Sequence, residues 1–467
     1  MTGGVCMNKK MVDMTQGRIL PVLLTFAVPM MLGSLFQDLY NLVDMTIAGY
    51  ALGDAALASI SATGALTQFT NSMSMGFNVG NAIVVSNSFG AGDMDKTRRS
   101  FAAMAELCVA MALVMTAILL AAVTPILRLI STPEALFSEA RIYIVTILAG
   151  LTFSMLYNMF ACAYRAVGNS KTPLYFLILS SVLNMILDYL FMVPLHWGVF
   201  GAAFATVLSQ AISVVLSAVN FHRVYPELRI RKEDLGRTWE TIREMFPIGI
   251  SASLTNSVFA VGAVAIQGAV NALGAETIIA QGATRKIAMF AYLPSVSIAN
   301  TVATFAAQNY GAKKIDRISQ GIRTAIFFSF LCNIVTFAIC GGLGGKLTAL
   351  ITNTKSDVVI HQAQTMLRIT VPFIFCQTAI MSYRMSIQGM RRKLIPIMGT
   401  FIELIIRTTF ALVITPMTDY RAIAWAEPAS WIISGLSMLI SYYVIAAKEK
   451  KHFLASENPY PNHRQPV

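Results

Sequence analysis

Apolar residues run along this chain in blocks of twenty or more, separated by short clusters of Gly, Pro and charged residues. About twenty apolar residues is the length a helix needs to cross the hydrocarbon core of a bilayer. The pattern predicts spans over 20–48, 55–86, 101–123, 136–161, 173–193, 198–220, 242–270, 278–306, 321–345, 359–385, 394–415 and 421–446. No room is left for a soluble domain. The expected fold is an all-α polytopic membrane protein of about twelve transmembrane helices.

Composition agrees with that pattern. Of 467 residues, 56% are hydrophobic and 12% charged, with a mean hydropathy of +0.63. Soluble domains carry about 25% charged residues. The net charge of +12 is not evenly spread. Basic residues fall in the N-terminus (Lys9, Lys10, Arg18) and in every second loop: Lys96, Arg98 and Arg99; Arg165 and Lys171; Arg223, Arg229, Arg231, Lys232, Arg237 and Arg243; Lys313, Lys314 and Arg317; Arg391, Arg392 and Lys393. The tail adds Lys448, Lys450 and Lys451, whereas loops 49–54, 194–197 and 271–277 hold no Lys or Arg. Positive residues gather on the cytoplasmic side, so both termini are expected in the cytoplasm. The charge records topology and implies a lipid bilayer, not nucleic acid, as partner. No signal peptide is expected before the first span, and Met7 is an alternative start. The cysteines show no CxxC or metal-ligand spacing and read as packing thiols.

The chain is written twice. Phe89-Gly90-Ala91 with Asp95-Lys96 recurs 221 positions later as Tyr310-Gly311-Ala312 with Asp316-Arg317. Lys171 and Pro173 have counterparts in Lys393 and Pro396, Pro194 in Pro416, and Pro29 in Pro247. The expected organisation is two six-helix lobes related by an internal repeat. The N-terminal lobe covers 1–220, a basic linker 221–241, the C-terminal lobe 242–446 and a tail 447–467. Each half has an even number of spans, so the copies share an orientation, an architecture common among secondary transporters.

Asp44 and Asp188 interrupt apolar spans, where an Asp at the helix centre costs roughly 2.5–3.5 kcal/mol. Counting 1.5 Å per residue from the charge-free loops places Asp44, Tyr143, Asp188 and Thr206 at one depth, roughly 8–12 Å in. Asn184 shares a helix face with Asp188. Two carboxylates, an amide, a hydroxyl and a phenol suit either sodium, through hard oxygen ligands, or a shared proton, through like charges held close. Pro29 interrupts the hydrogen-bond ladder of the first span and gives it a place to bend. The C-terminal lobe has no acid at the positions corresponding to Asp44 or Asp188. Its intramembrane charges are read as Arg285 and Lys286, plus Glu403 and Arg407, an i,i+4 pair that neutralises itself. Abundant Met and Phe can line an adaptable cavity.

Three stretches carry a family resemblance: Tyr164 to Pro173 (Tyr-Arg-Ala-Val-Gly-Asn-Ser-Lys-Thr-Pro), Asn184-Met-Ile-Leu-Asp188, and Gly198 to Thr206. With Pro29 to Gly53 and Gln308-Asn-Tyr-Gly-Ala312, the chain resembles the multidrug and toxic compound extrusion family of cation-coupled exporters. The resemblance implies a V-shaped pair of lobes working by alternating access. It places ion or proton coupling on Asp44, Asn184, Asp188 and Thr206, with Tyr40 and Tyr143 in their network. The first four would be the metal ligands if sodium is the ion. It places substrate contacts at Gln37 and Asn158 and the bend at Pro29. Ala161 stands where relatives often carry a polar residue, and acids of another branch's seventh and tenth helices have no counterpart in 242–270 or 359–385.

The expected function is therefore secondary active antiport. Organic, cationic small molecules leave the cell in exchange for Na+ or H+, with no other cofactor, through a monomer in the cell membrane that is not an enzyme. No HExxH, GxSxG or loop acid cluster supports catalysis. A lipid-linked oligosaccharide flippase of the related superfamily would show a more basic cavity, and only Arg285, Lys286 and Arg407 speak for it. A major-facilitator transporter is echoed faintly by Gly90 to Arg99.

Overall fold

The computed structural model describes residues 12–130, 132–234 and 238–457. Lys9, Lys10, Arg237, the alternative start at Met7 and the end of the tail lie outside the described residues. The described residues are helical nearly throughout, with no strand. The helices, in chain order, are α1 Ile19–Ala62, α2 Gly64–Gly90, α3 Met94–Leu129, α4 Glu134–Ala149 bent by 48° onto Leu151–Ala166, α5 Lys171–Met192, α6 Gly198–Val224 and α7 Trp239–Ala272. They continue as α8 Ala275–Gly311, α9 Ile315–Thr352, α10 Asp357–Gly389, α11 Leu394–Met417 and α12, which starts at Tyr420 and ends at Glu457.

Nine of the described helices are long and apolar enough to cross a membrane, or ten if the bent α4 counts as one span. Of the spans expected from the sequence, α2 falls short by its own composition. In α2 the reason is burial: from Gly76 to Phe89 nearly every residue is covered by protein, including Asn78, Asn81, Ser86 and Asn87. A helix wrapped by its neighbours has no lipid to face and need not be apolar all round. The second expected span also starts later than 55. α1 runs to Ala62 and breaks at Gly53, whose φ of 79° and ψ of −179° lie outside helical space. Glycine carries no Cβ to clash there.

The repeat is visible in the backbone as well. Gly53 and Gly274 both take positive φ, as do Gly92 and Lys313, and Gly168 and Arg391. Two of these pairs are 221 positions apart and the third 223.

The chain divides into two compact units. Among the described residues, the first comprises 12–13, 24–89 and 93–260, and the second comprises 14–23, 90–92 and 261–457. In the first, α2 approaches the opening half of α7 through Gly76 and Gly80, a small-xxx-small spacing that lets backbones come close. A Cβ on Gly80 would stand 2.7 Å from the Gly249 Cα, and one on Gly76 2.6 Å from the Ser253 Cα. Ser253 Oγ donates to the Met73 carbonyl at 2.9 Å. Opposite, Phe101 stacks on Phe221 with ring centroids 4.6 Å apart, and Tyr164 donates to Asn220 Oδ1 at 2.8 Å.

The linker docks on α3. Arg98 Nε donates to Asp234 Oδ2 at 2.9 Å, and its Nη1 reaches Asp95 at 2.7 Å. Burial raises the Asp234 pKa, but the Arg98 hydrogen bonds and the Arg231 N–H outweigh it and hold the carboxyl below its usual range. In the second unit, residues just before α1 cap the end of α8. The Met14 N–H donates to Gln308 Oε1 at 3.1 Å, Asn309 Nδ2 donates back to the Met14 carbonyl, and Lys314 Nζ holds the Thr15 carbonyl at 2.8 Å.

Gly80→Val forces the α2–α7 backbones apart, and overpacking of this kind typically costs about 1–3 kcal/mol. A lower thermal unfolding midpoint in detergent is the expected result; an unchanged midpoint contradicts the contact. Because the folded Asp234 pKa is depressed, its stabilisation is complete above the unfolded value of about 3.9 and is lost as pH falls through the folded value. A spin label at residue 232 should therefore become mobile on acidification below about 4, and already at neutral pH in Asp234→Asn.

Candidate functional site

The α5–α6 hairpin sets the register of the site. Its turn is filled by aromatic rings: Phe191 stacks on Trp197 at 4.7 Å, and Phe200 on Phe204 at 5.6 Å. Below this turn Ala48, Met192 and Ala202 form one buried cluster, with Tyr143 packed against it. These residues are one helical turn from Asp44, Asp188 and Thr206 respectively, which therefore occupy the next layer down.

In that layer Asp188 is fully buried and Asn184 nearly so. The Tyr40 hydroxyl donates to Asn184 Oδ1. The carboxyls of Asp44 and Asp188 are within hydrogen-bonding reach of each other. Tyr40 and Tyr143 lie in the field of both aspartates. Neither Asp188 oxygen receives a hydrogen bond from any described donor, and Asn184 Nδ2 is unpartnered too. Two carboxylates can only accept, so they bind each other only through a proton or another cation.

The other expected residues sit differently. Thr206 turns its hydroxyl back to the Ala202 carbonyl at 3.2 Å. Asn158 likewise donates within its own helix, to the Ser154 carbonyl at 3.1 Å. Gln37 bonds Asn41 at 3.3 Å on the exposed side of α1. Pro29 is buried in α1, where the helix is continuous, and the non-helical residue is Gly53. Tyr157 lies close to Tyr40. It was missed because a tyrosine in an apolar span gives no signal of its own.

The second unit answers its buried acids with bases. Glu403 pairs with Arg384, which is 1% exposed, and more loosely with Arg407 at 3.8 Å. Arg407 Nε also donates to Ser430 Oγ at 3.3 Å. Tyr292 donates to Glu427 at 2.9 Å. The main partner of Glu403 is thus Arg384, on another helix, rather than Arg407, its i,i+4 neighbour. Arg384 and Glu427 had a sequence signal, a lone charge inside an apolar run, that the span average concealed. Arg285 Nη1 reaches Gln267 Oε1 at 3.3 Å on an exposed face.

Removing one partner of a buried ion pair costs roughly 3–5 kcal/mol, against under about 1 for an exposed one. Glu403→Gln should therefore lower the unfolding midpoint in detergent far more than Asp419→Asn, which breaks the exposed pair with Arg421. Equal effects would contradict the pairing.

A family model, MatE, matches residues 29–190 and 247–413. The chain is 25% identical over 436 residues to a probable multidrug resistance protein, YoeA, of Bacillus subtilis, covering 91% of this chain and 94% of that one. It is 30% identical over 311 residues to YpnP of the same organism, also a probable multidrug resistance protein, covering 66% and 69%. A MOP-superfamily transporter of Pyrococcus furiosus has the same fold, with a TM-score of 0.86 at 19% identity, covering 95% of this chain and 99% of that one. With the matched segments spanning both copies of the repeat, the chain belongs to the MatE family of multidrug efflux transporters.

Proposed function

We propose that this transporter is an antiporter that exports organic cations in exchange for protons, with Asp44 and Asp188 holding the proton between them. One observation carries the reading: Asp188 is fully buried beside Asp44 with both oxygens lacking a donor. A single proton turns that repulsive pair into a hydrogen bond. Tyr40, Asn184 and Tyr143 then hold the two carboxyls in place. Sodium is the second reading. It would draw on Asp44, Asp188, Asn184 and Thr206, but Asn184 Oδ1 already accepts from Tyr40 and Thr206 faces its own helix.

Proton loading removes the charge repulsion and lets the upper part of α1 move about Pro29, while Gln37 and Asn158 contact substrate. The basic loops support a cell-membrane orientation with both termini in the cytoplasm. We take the working unit to be a monomer without cofactor. One proton exchanged for one monocation moves no net charge, so the pH gradient drives it, at about 1.4 kcal/mol per pH unit.

Efflux of a fluorescent cation from inside-loaded vesicles, with pH and sodium gradients imposed separately, tests the reading. The pH gradient alone should drive wild-type efflux. Asp44→Asn and Asp188→Asn should each abolish it while the proteins insert and purify normally. Full coupled efflux in either variant removes the coupling site, and dependence on sodium alone moves the assignment to the second reading.

A further inference from the structure

The proposed coupling pair leaves a third intramembrane acid without a task. Asp38 lies in α1 six residues before Asp44, so it stands about 9 Å deeper along the helix and about 120° around it. It points away from Asp188. Its side chain is half-buried, and no described residue donates a hydrogen bond or forms an ion pair with it.

The surroundings of Asp38 on α1 say what it faces. At about 100° per residue, one side of α1, from Tyr40 through Asp44, turns into the first unit. The exposed remainder divides into two sectors. Leu32, Leu39, Leu42 and Val43, between 40% and 63% exposed, form an apolar sector suited to lipid. Asp38 falls at the edge of that sector, about 40° from Leu42 and about 60° from Asn41, which is exposed and bonded to Gln37. A carboxylate on the lipid sector would cost several kcal/mol at this depth. At the edge of that sector, partly exposed and without a described partner, it is available to a positively charged ligand.

We propose that Asp38 recognises the positive centre of the transported compound, separately from the pair that carries the coupling proton. The ligand class is a bulky organic monocation, whose charge pairs with Asp38 while its apolar groups meet exposed side chains such as Met45, 53% exposed. The assignment rests on the export reading above for its substrate class, but it concerns recognition and not coupling. It also gives α1 two acids with different work, one turned inward and one outward.

The test is equilibrium binding, with no gradient present. Tetraphenylphosphonium, a permanent cation, and triphenylphosphine oxide, a neutral analogue, are titrated calorimetrically into the full chain in lipid nanodiscs. Asp38→Asn should weaken the cation by roughly ten-fold, equivalent to about 1.4 kcal/mol, and leave the neutral compound unchanged. Asp38→Glu should keep affinity for the cation. A structural role would weaken both compounds, and so contradict the assignment. Equal cation affinity in wild type and Asp38→Asn, or no cation binding by the wild type, also overturns it while leaving proton coupling at Asp44 and Asp188 standing. Full coupled efflux by Asp188→Asn overturns the coupling reading whatever Asp38 does.

Discussion

A carboxylate taken fully out of water must be given a positive partner, and in the first unit of this chain the protein supplies none. Asp188 is surrounded by helices, meets Asp44, and finds only acceptors or unengaged groups around it. The aromatic hairpin between α5 and α6, the apolar cluster one turn away and the Tyr40–Asn184 hydrogen bond all hold that arrangement in register. Held so, Asp188 cannot relax by turning its carboxylate toward solvent. In the reading proposed above, its missing charge comes from a cation that arrives and leaves, which would be the physical basis of coupling.

The second unit is built from the same repeat, with positive φ at corresponding positions, yet it solves the buried-acid problem the other way. Glu403 is neutralised by Arg384 and Arg407 within the helices themselves. A permanently paired acid has no need of an ion from outside. Breaking such a pair is costly, while the pair intact adds little net stability. The two copies therefore share a scaffold and differ in electrostatics: one leaves a buried acid without a described donor, the other pairs it with arginine.

Much of this was legible in the sequence, for physical reasons that also explain the gaps. Lipid-facing helices must be apolar, so nine of them announce themselves by length and hydropathy. α2 is less apolar, and burial among other helices removes that requirement. The break at Gly53 escaped notice because a glycine in an apolar run reads as packing until its φ is known. Depth counting brought Asp44, Asp188 and Thr206 to one layer, since the rise per residue is constant, but it said nothing of where the Thr206 hydroxyl turns. Asp38, Arg384 and Glu427 were passed over for one reason: averaging over a span hides a single charge, although a single charge is what costs most in a membrane.

The central claim is that one proton sits between Asp44 and Asp188. Infrared difference spectroscopy of the purified chain in lipid reads it directly through the carbonyl band of a protonated carboxylic acid. The account predicts that the band is present in the wild type in the absence of sodium, disappears on alkaline titration, and is lost in Asp188→Asn. Absence of a protonated carboxyl in the wild type, or a carboxylate signal that responds to sodium and not to pH, would contradict it.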